Sequence, residues 1–248
     1  MPDEPRLEEQ ALSEAAELTI GAQLDEVESI DVAVRTDLLK MVQGKVESVS
    51  IAAEGMVVQK GIRVQEMELH TDSIAINLLR AVFGEVTLDQ PIEATARLVL
   101  TEQDMNCALN SGYMRRKLSK LELNVDEHSV TLEPQKLIVH LPGGGRMGFG
   151  GTLWLHEMGK TRLVSFTAVI RLYHIKQPLL LEKFQCTQGE GISLDLAIAL
   201  MHKFRELLAL PYFELQGVAL RLKDLEVQRG SLTVYTEAYV QQLPDLNT

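Results

Sequence analysis

The stretch LPGGGRMGFGGTLWLHEMGKT, residues 141–161, decides between two kinds of fold for this chain. It contains a G-x-G-x-x-G pattern at Gly143, Gly145 and Gly148, and the GKT at 159–161 resembles the end of a P-loop. Both motifs bind phosphate only when the N-terminus of a helix follows the glycines at once. The residues that follow the glycines therefore answer the question.

Those residues alternate between apolar and small or polar side chains, which is the period of a β-strand. Met147, Phe149 and Leu153 fall on one face, and the residues before the turn alternate in the same way. Two strands joined by Pro-Gly-Gly-Gly-Arg form a hairpin in which glycines supply the positive φ. The P-loop pattern also fails, because Trp154 stands where its first glycine belongs. The stretch predicts a hairpin and no nucleotide site.

The composition indicates an acidic globular protein. The chain has 248 residues, a hydrophobic content of 46% and a formal net charge of −11. This length fits one large domain or two small ones. The excess of acids argues against binding to nucleic acid, which needs a basic surface, and weakens docking on anionic lipid headgroups.

Targeting and cysteine patterns favour a soluble, cytoplasmic protein. The N-terminal residues MPDEPRLEEQALSEAAEL carry acids where a signal peptide carries Lys or Arg. No stretch approaches the roughly 18 apolar residues of a membrane-spanning helix. Cys107 and Cys186 lack the spacing of a metal site or a disulfide framework. We therefore expect no metal and no cofactor.

The order of elements predicts an α+β fold. Residues 5–29 read as a helix, 30–76 as a strand meander and 92–100 as the clearest strand. A second helix begins at Thr101, and a third occupies 193–210. Short, glycine-marked connections predict antiparallel pairing. A strongly curved antiparallel sheet wrapped around long amphipathic helices would cover the apolar face of every element.

The whole chain, 1–248, is expected to form a single domain. Two blocks of strands with a helix, 30–120 and 121–241, suggest an internal pseudo-repeat. Direct residue matches between the blocks are poor, so the repeat rests on the order of the elements alone.

Patterns typical of catalysis are missing from the sequence. The six histidines never fall in H-x-x-x-H or H-E-x-x-H spacing, and His156-Glu157 reads as part of a hairpin turn. No G-x-S-x-G elbow anchors a nucleophilic serine. Cys107 is expected to be a buried helix residue near acids, which do not favour a thiolate. We therefore expect that the chain is not an enzyme.

The apolar interior leads to the main functional hypothesis, which is binding of a lipid or another apolar ligand. A sheet curled around helices can leave an elongated apolar channel, and burial of a ~16-carbon chain there is worth about 12 kcal/mol before ordering costs. Ordinary core packing is the alternative explanation for each candidate lining residue. The candidates on the inward helical faces are Leu18, Met105, Leu109, Tyr113, Met201 and Phe204.

Two further hypotheses concern the surface. A short helix at 77–84 is a candidate for transient membrane contact, with a packed turn as the alternative; its apolar residues are Leu78, Leu79, Val82 and Phe83. The competing function is a structural or protein-interaction module with a filled core, in which the acidic N-terminal helix is the partner surface. An enzyme of unrecognised type is the third alternative.

Two passages resemble a bacterial family named for the LmeA-type phospholipid-binding proteins. They are GKVESVSIAAEGMVVQKGIRVQEMELHTDSIAIN, residues 44–77, and ARLVLTEQDMNCALNS, residues 96–111. The resemblance runs from about Gln10 to Leu243. It implies a tubular lipid-binding (TULIP-like) fold, a phospholipid between helices and sheet, and no catalytic residues. The characterised branch enters the envelope through a signal or lipid anchor, so its envelope role does not carry over to this acidic start.

Overall fold

Antiparallel β-structure dominates the computed structural model. The described residues are 7–21, 24, 26–58, 62–75, 90–125, 128–172, 180–189, 191–209, 213–215 and 218–240. Their strands are β1 (Ser29–Arg35), β2 (Lys45–Val46), β3 (Ser48–Val58), β4 (Ile62–Thr71), β5 (Ile74–Ala75), β6 (Ile92–Thr101), β7 (Leu121–Val125), β8 (His128–Gly143), β9 (Arg146–Glu157), β10 (Lys160–Arg171), β11 (Leu180–Gln188), β12 (Phe213–Leu215), β13 (Val218–Gln228) and β14 (Ser231–Val240). Their helices are α1 (Leu7–Gly21), α2 (Leu38–Val42), α3 (Glu102–Leu109), α4 (Gly112–Lys117) and α5 (Leu194–Ala209).

The strands divide between two main sheets. The large sheet has seven strands in the order β1-β3-β4-β6-β14-β13-β12, and the small sheet has five in the order β11-β10-β9-β8-β7. Every strand pairing in both sheets is antiparallel, so the predicted strand direction is confirmed. The expectation of one continuous sheet is wrong, because β6 pairs with the distant β14 and not with β7.

Register aligns apolar side chains into rows across one face of the large sheet. Directly paired residues of an antiparallel sheet carry their side chains on the same face. One such row is Ile30, Ala53, Met67, Leu98, Val234 and Leu225. The next is Val32, Ile51, Leu69, Ala96, Thr236 and Leu222. The pairing of distant strands thus converts local alternation into a mainly apolar surface, in which Thr236 is the polar member of these two rows.

The glycine-rich stretch forms the predicted hairpin. β8 ends at Gly143 and β9 begins at Arg146, and φ is positive at Gly143 (87°), Gly144 (64°) and Gly145 (71°). A strand follows the turn, so the helix that both phosphate motifs require does not stand there. A Cβ added at Gly145 would come within 2.6 Å of the carbonyl oxygen of Leu172, so the turn also needs glycine for space.

The two sheets are joined at that hairpin. Pro142, at the end of β8, forms a β-bridge with Arg229, between β13 and β14. The amide of Gly230 donates to the carbonyl of Leu141 at 2.9 Å, and the amide of Gly145 donates to Val227 at 3.3 Å. We call this line of backbone contacts the seam.

Helix α1 covers the free edge of the large sheet with polar side chains. The hydroxyl of Ser13 accepts from the amide of Val34 at 2.9 Å, and the carboxylate of Glu9 accepts from the amide of Thr36 at 3.0 Å. β1 is the last strand on that side, so these groups replace the carbonyls of a missing neighbour. The face that carries Leu18 points outward instead of inward, and Leu18 is 77% exposed.

The helix predicted at Thr101 begins as expected but is interrupted. The hydroxyl of Thr101 accepts from the amide of Asp104 at 3.1 Å, which is an N-cap. α3 ends at Leu109, and Ser111 caps a separate helix by accepting from the amide of Met114. The third predicted helix is confirmed as α5, whereas the expected helix at 77–84 lies outside the described residues.

Candidate functional site

An apolar cluster takes side chains from both sheets at the seam. Strands of the small sheet, with the residue that follows β10, contribute Val139, Leu141, Met147, Ile170 and Leu172, and the large sheet contributes Val227 and Leu232. Each of these side chains is buried. We call this group the seam cluster.

Three of the predicted lining residues meet at the seam cluster. Met105 and Leu109 from α3 and Met201 from α5 are partly buried and pack against it. Two helices that are far apart in the sequence therefore contact one apolar surface. Methionine is the residue type that adapts most readily to irregular apolar space.

Leu18 and Tyr113 do not belong to this group. Tyr113 is half-buried on α4. Leu18 is exposed on α1, the helix that covers β1 at the edge of the large sheet. Phe204 lies within α5. The four residues predicted to touch a membrane fall in 76–89, outside the described residues: Leu78, Leu79, Val82 and Phe83.

A row of polar side chains fastens α3 to the free edge of β8. The carboxylate of Glu102 accepts from the amide of Leu141 at 2.6 Å, and Asn110 donates to the carbonyl of Leu137 at 2.9 Å. Asn106 lies between them, donates to the carbonyl of Val139 and accepts from its amide, both at 2.8 Å. This row was not predicted from the sequence, although Glu102, Asn106 and Asn110 are spaced four residues apart on one helix face.

An open cleft of about 1010 Å³ lies beside the seam cluster. Its walls come from the start of β4, the start of α3, the end of β8 and the β13–β14 turn. The charged and polar side chains that line it include Arg63, Thr101, Glu102, Asp104, His140 and Arg229. We call it the seam cleft.

The carboxylates of the seam cleft are engaged by the protein. Glu102 Oε1 lies 3.0 Å from Nδ1 of His140, and the hydroxyl of Thr101 donates to Asp104 at 2.6 Å. The amide of Leu141, followed by the His140 contact, holds the pKa of Glu102 below its ordinary value. Arg63 donates to Glu28 at 2.5 Å, which raises the pKa of Arg63.

Acid should weaken the attachment of α3 through Glu102. The pKa of this carboxyl is lower in the folded chain than its ordinary value of 4.5, so its contribution is present above pH 4.5 and is lost as pH falls through the folded value. We expect Glu102→Gln to lower the free energy of unfolding at pH 7. Below pH 4.5 the difference in free energy of unfolding between this variant and the wild type should become smaller. Urea unfolding at several pH values measures this. A gap that is constant with pH would show that the Glu102 carboxylate is not linked to folding.

Other chemistry finds little support in the described part of the chain. It contains no group of three or more His, Cys, Asp or Glu side chains placed to hold a metal ion. Cys107 is exposed, so the expectation that it is buried is wrong; it shares α3 with the inward-facing Met105 but lies on another face. No described helix is both long and apolar enough to cross a bilayer.

Comparison with known proteins identifies the family. The profile of the family described as LmeA-like phospholipid-binding matches residues 4–237, which is nearly the whole chain. Neither the curated proteins nor the solved structures give a significant match. The match includes both sheets, all the described helices and both passages in which the resemblance was seen. The chain therefore belongs to the LmeA-like phospholipid-binding family.

Proposed function

We propose that this protein binds a phospholipid without catalysing a reaction on it, and that the acyl chains lie between the sheets and helices α3 and α5. The family match supports a lipid partner. The convergence of Met105, Leu109 and Met201 on the seam cluster is the observation that carries the location. We further propose that the sheets curve around the helices, as in a tubular lipid-binding fold.

The energetics favour this location over a site on the outer surface. Each buried CH₂ group contributes about 0.8 kcal/mol, so an acyl chain needs contact with apolar side chains along most of its length. One apolar row of the large sheet leads to the seam, because its members Val234 and Leu225 also pack against the seam cluster. A chain that lies along this surface would contact one apolar residue after another.

A bulky side chain at the centre of the proposed channel should block lipid uptake. In Met201→Trp the indole would occupy space that two or more CH₂ groups would use, which corresponds to about a tenfold loss of affinity. The overpacking itself is expected to cost about 1–3 kcal/mol of stability. Uptake is measured by incubating detergent-free protein with phosphatidylcholine vesicles, re-isolating the protein, and quantifying extracted lipid by mass spectrometry.

Ile198→Trp is the matched control, because Ile198 lies on the same helix with its side chain 46% exposed. This variant should take up lipid like the wild type. If a folded Met201→Trp protein takes up as much lipid as the control, the channel does not pass Met201. If the wild type takes up no phospholipid at all, the proposed function is wrong.

The protein-interaction alternative has one observation in its favour. α1 exposes Leu7 (82%) and Leu18 (77%) on the face that turns away from β1. A lipid-free wild type would leave this face as the leading candidate for a functional surface. Glu9 would not take part in it, because its carboxylate already accepts from the edge strand.

We also propose that residues 1–248 form one domain. The seam cluster supports this, because it buries side chains of both sheets in one core. Transient membrane contact through residues 77–84, the pseudo-repeat and the cytoplasmic location remain predictions.

A further inference from the structure

We propose that the seam cleft binds the phosphate diester of the phospholipid headgroup and that Arg229 is its main cationic contact. This inference rests on the proposed function and assigns the polar end of the ligand. It differs from the acyl site because Arg229, the proposed contact of the phosphate, lies in the cleft and not in the seam cluster.

The cleft and the cluster share a wall. Leu141 lines the seam cleft and is also a buried member of the seam cluster. α3 borders both spaces, because Met105 packs on the cluster while Gln103 and Asn106 line the cleft. A phospholipid with its headgroup in the cleft would therefore have its acyl chains next to the cluster. The volume of about 1010 Å³ is at the upper end of the roughly 300–1,000 Å³ of ligand pockets, so a headgroup fits.

The cations of the cleft differ in their availability. Arg63 donates to Glu28 and has Asp104 Oδ1 at 3.9 Å from its Nε, so its charge is partly compensated. Arg229 is exposed, and within the described residues no carboxylate pairs with it. A guanidinium can donate two parallel hydrogen bonds to a phosphate, which suits a single anionic group.

The carboxylates of the cleft do not prevent this. Glu102 is engaged by the amide of Leu141 and by His140, and Asp104 accepts from Thr101. Both acids therefore act in the attachment and capping of α3. Among the described residues, Arg229 is the cation of the cleft that has no carboxylate within ion-pair distance, so a phosphate can bind it without displacing an acid.

A second cleft lies on the large sheet, and its cations differ from Arg229 because carboxylates pair with them. It measures about 510 Å³ and contains cations as well. Its Arg97 pairs with Glu66 and Glu68, and its Lys223 pairs with Glu237. The charges of that cleft neutralise one another, so an incoming phosphate would have to displace a carboxylate. This favours the seam cleft as the anion site.

The test compares two lipids that differ only in the headgroup. Protein is loaded from vesicles of phosphatidylcholine that contain a minor share of diacylglycerol with the same acyl chains, and both lipids are extracted and quantified. Wild-type protein should carry phosphatidylcholine in preference to diacylglycerol, relative to the vesicle. Arg229→Gln should reduce that preference about tenfold and leave diacylglycerol loading unchanged. Arg115→Gln is the matched control, because Arg115 is also exposed but lies outside the cleft.

Each other outcome overturns the inference in a recognisable way. Equal loading of the two lipids by the wild type would refute the headgroup site while the proposed function stands. An equal loss of both lipids in Arg229→Gln would mean that Arg229 acts on the fold. Arg229-dependent binding of inorganic phosphate by a protein that takes up neither lipid would assign the cleft to a free anion, and the proposed function would fail with it.

Discussion

Replacing Leu196 with alanine should lower the free energy of unfolding by about 2–5 kcal/mol, because it opens a cavity in a fully packed core. Leu196 is 1% exposed and attaches α5 to the core of the small sheet, where it joins Val130, Leu155 and Val164. Urea unfolding followed by circular dichroism measures the change. The loss should leave the slope of the transition unchanged if the native sheets remain.

Ile198→Ala is the control for Leu196→Ala. It removes a side chain of similar size from the same helix at a position that is 46% exposed. Its effect should stay within about 1 kcal/mol, because no closed cavity forms. Equal effects of the two substitutions would show that α5 is not held to the small sheet through Leu196.

Replacing Asn106 with leucine should have the second large effect, a loss of about 2–4 kcal/mol, because a buried backbone amide and carbonyl lose their partner. Both groups belong to Val139, which is buried on β8. Leucine has a similar size, so the loss reports hydrogen bonds and not volume. Gln103→Leu serves as the control on the same helix, because Gln103 is exposed. Urea unfolding of both variants measures the difference.

Asn106→Asp keeps the size of the side chain and removes its hydrogen-bond donor. A carboxylate can still accept from the amide of Val139, but it cannot donate to the carbonyl. This variant should therefore be destabilised as well. The wild type, Asn106→Leu and Asn106→Asp are compared. If all three unfold at the same urea concentration, water replaces the Asn106 side chain and the row of polar contacts does not hold α3.

Local features of the fold could be predicted from the sequence. The Gly143–Gly145 hairpin, the Thr101 cap and α5 all depend on interactions between residues a few positions apart. Alternation of apolar residues likewise identified most strands. Periodicity and capping are properties of short segments, so a single sequence contains enough information for them.

The division into two sheets could not be predicted in this way. β6 pairs with β14, which lies more than a hundred residues later in the chain. β6 and β7 both alternate between apolar and polar residues, so β6 could equally have paired with the strand that follows it in the chain. The choice depends on how well complete faces pack, which no short window reveals.

The predicted orientation of α1 was wrong for a related reason. Leu7, Ala11, Ala15 and Leu18 form an apolar stripe, and burial of that stripe was the natural expectation. The adjacent face carries Ser13 and Glu9, which satisfy backbone amides of β1. Hydrogen bonds to an edge strand took precedence over a modest apolar stripe, so Leu18 is exposed.

The candidate site was predicted in part. Met105, Leu109 and Met201 were selected from helical faces, and the structure brings them to one cluster, although their contact with a ligand stays a prediction. The seam cleft was not foreseen, because its walls come from four segments that are remote in the sequence. Arg229 carries no local pattern that distinguishes it from other surface arginines.

The contacts of Ser13 and Glu9 with β1 have a further consequence for how copies of this chain avoid one another. An edge strand with open amides is a template for adding a strand from a second molecule, which is the first step toward aggregation. α1 occupies that template on the large sheet. The N-terminal helix thus occupies an edge to which a second copy could add a strand, and we expect a chain trimmed before residue 22 to aggregate more readily.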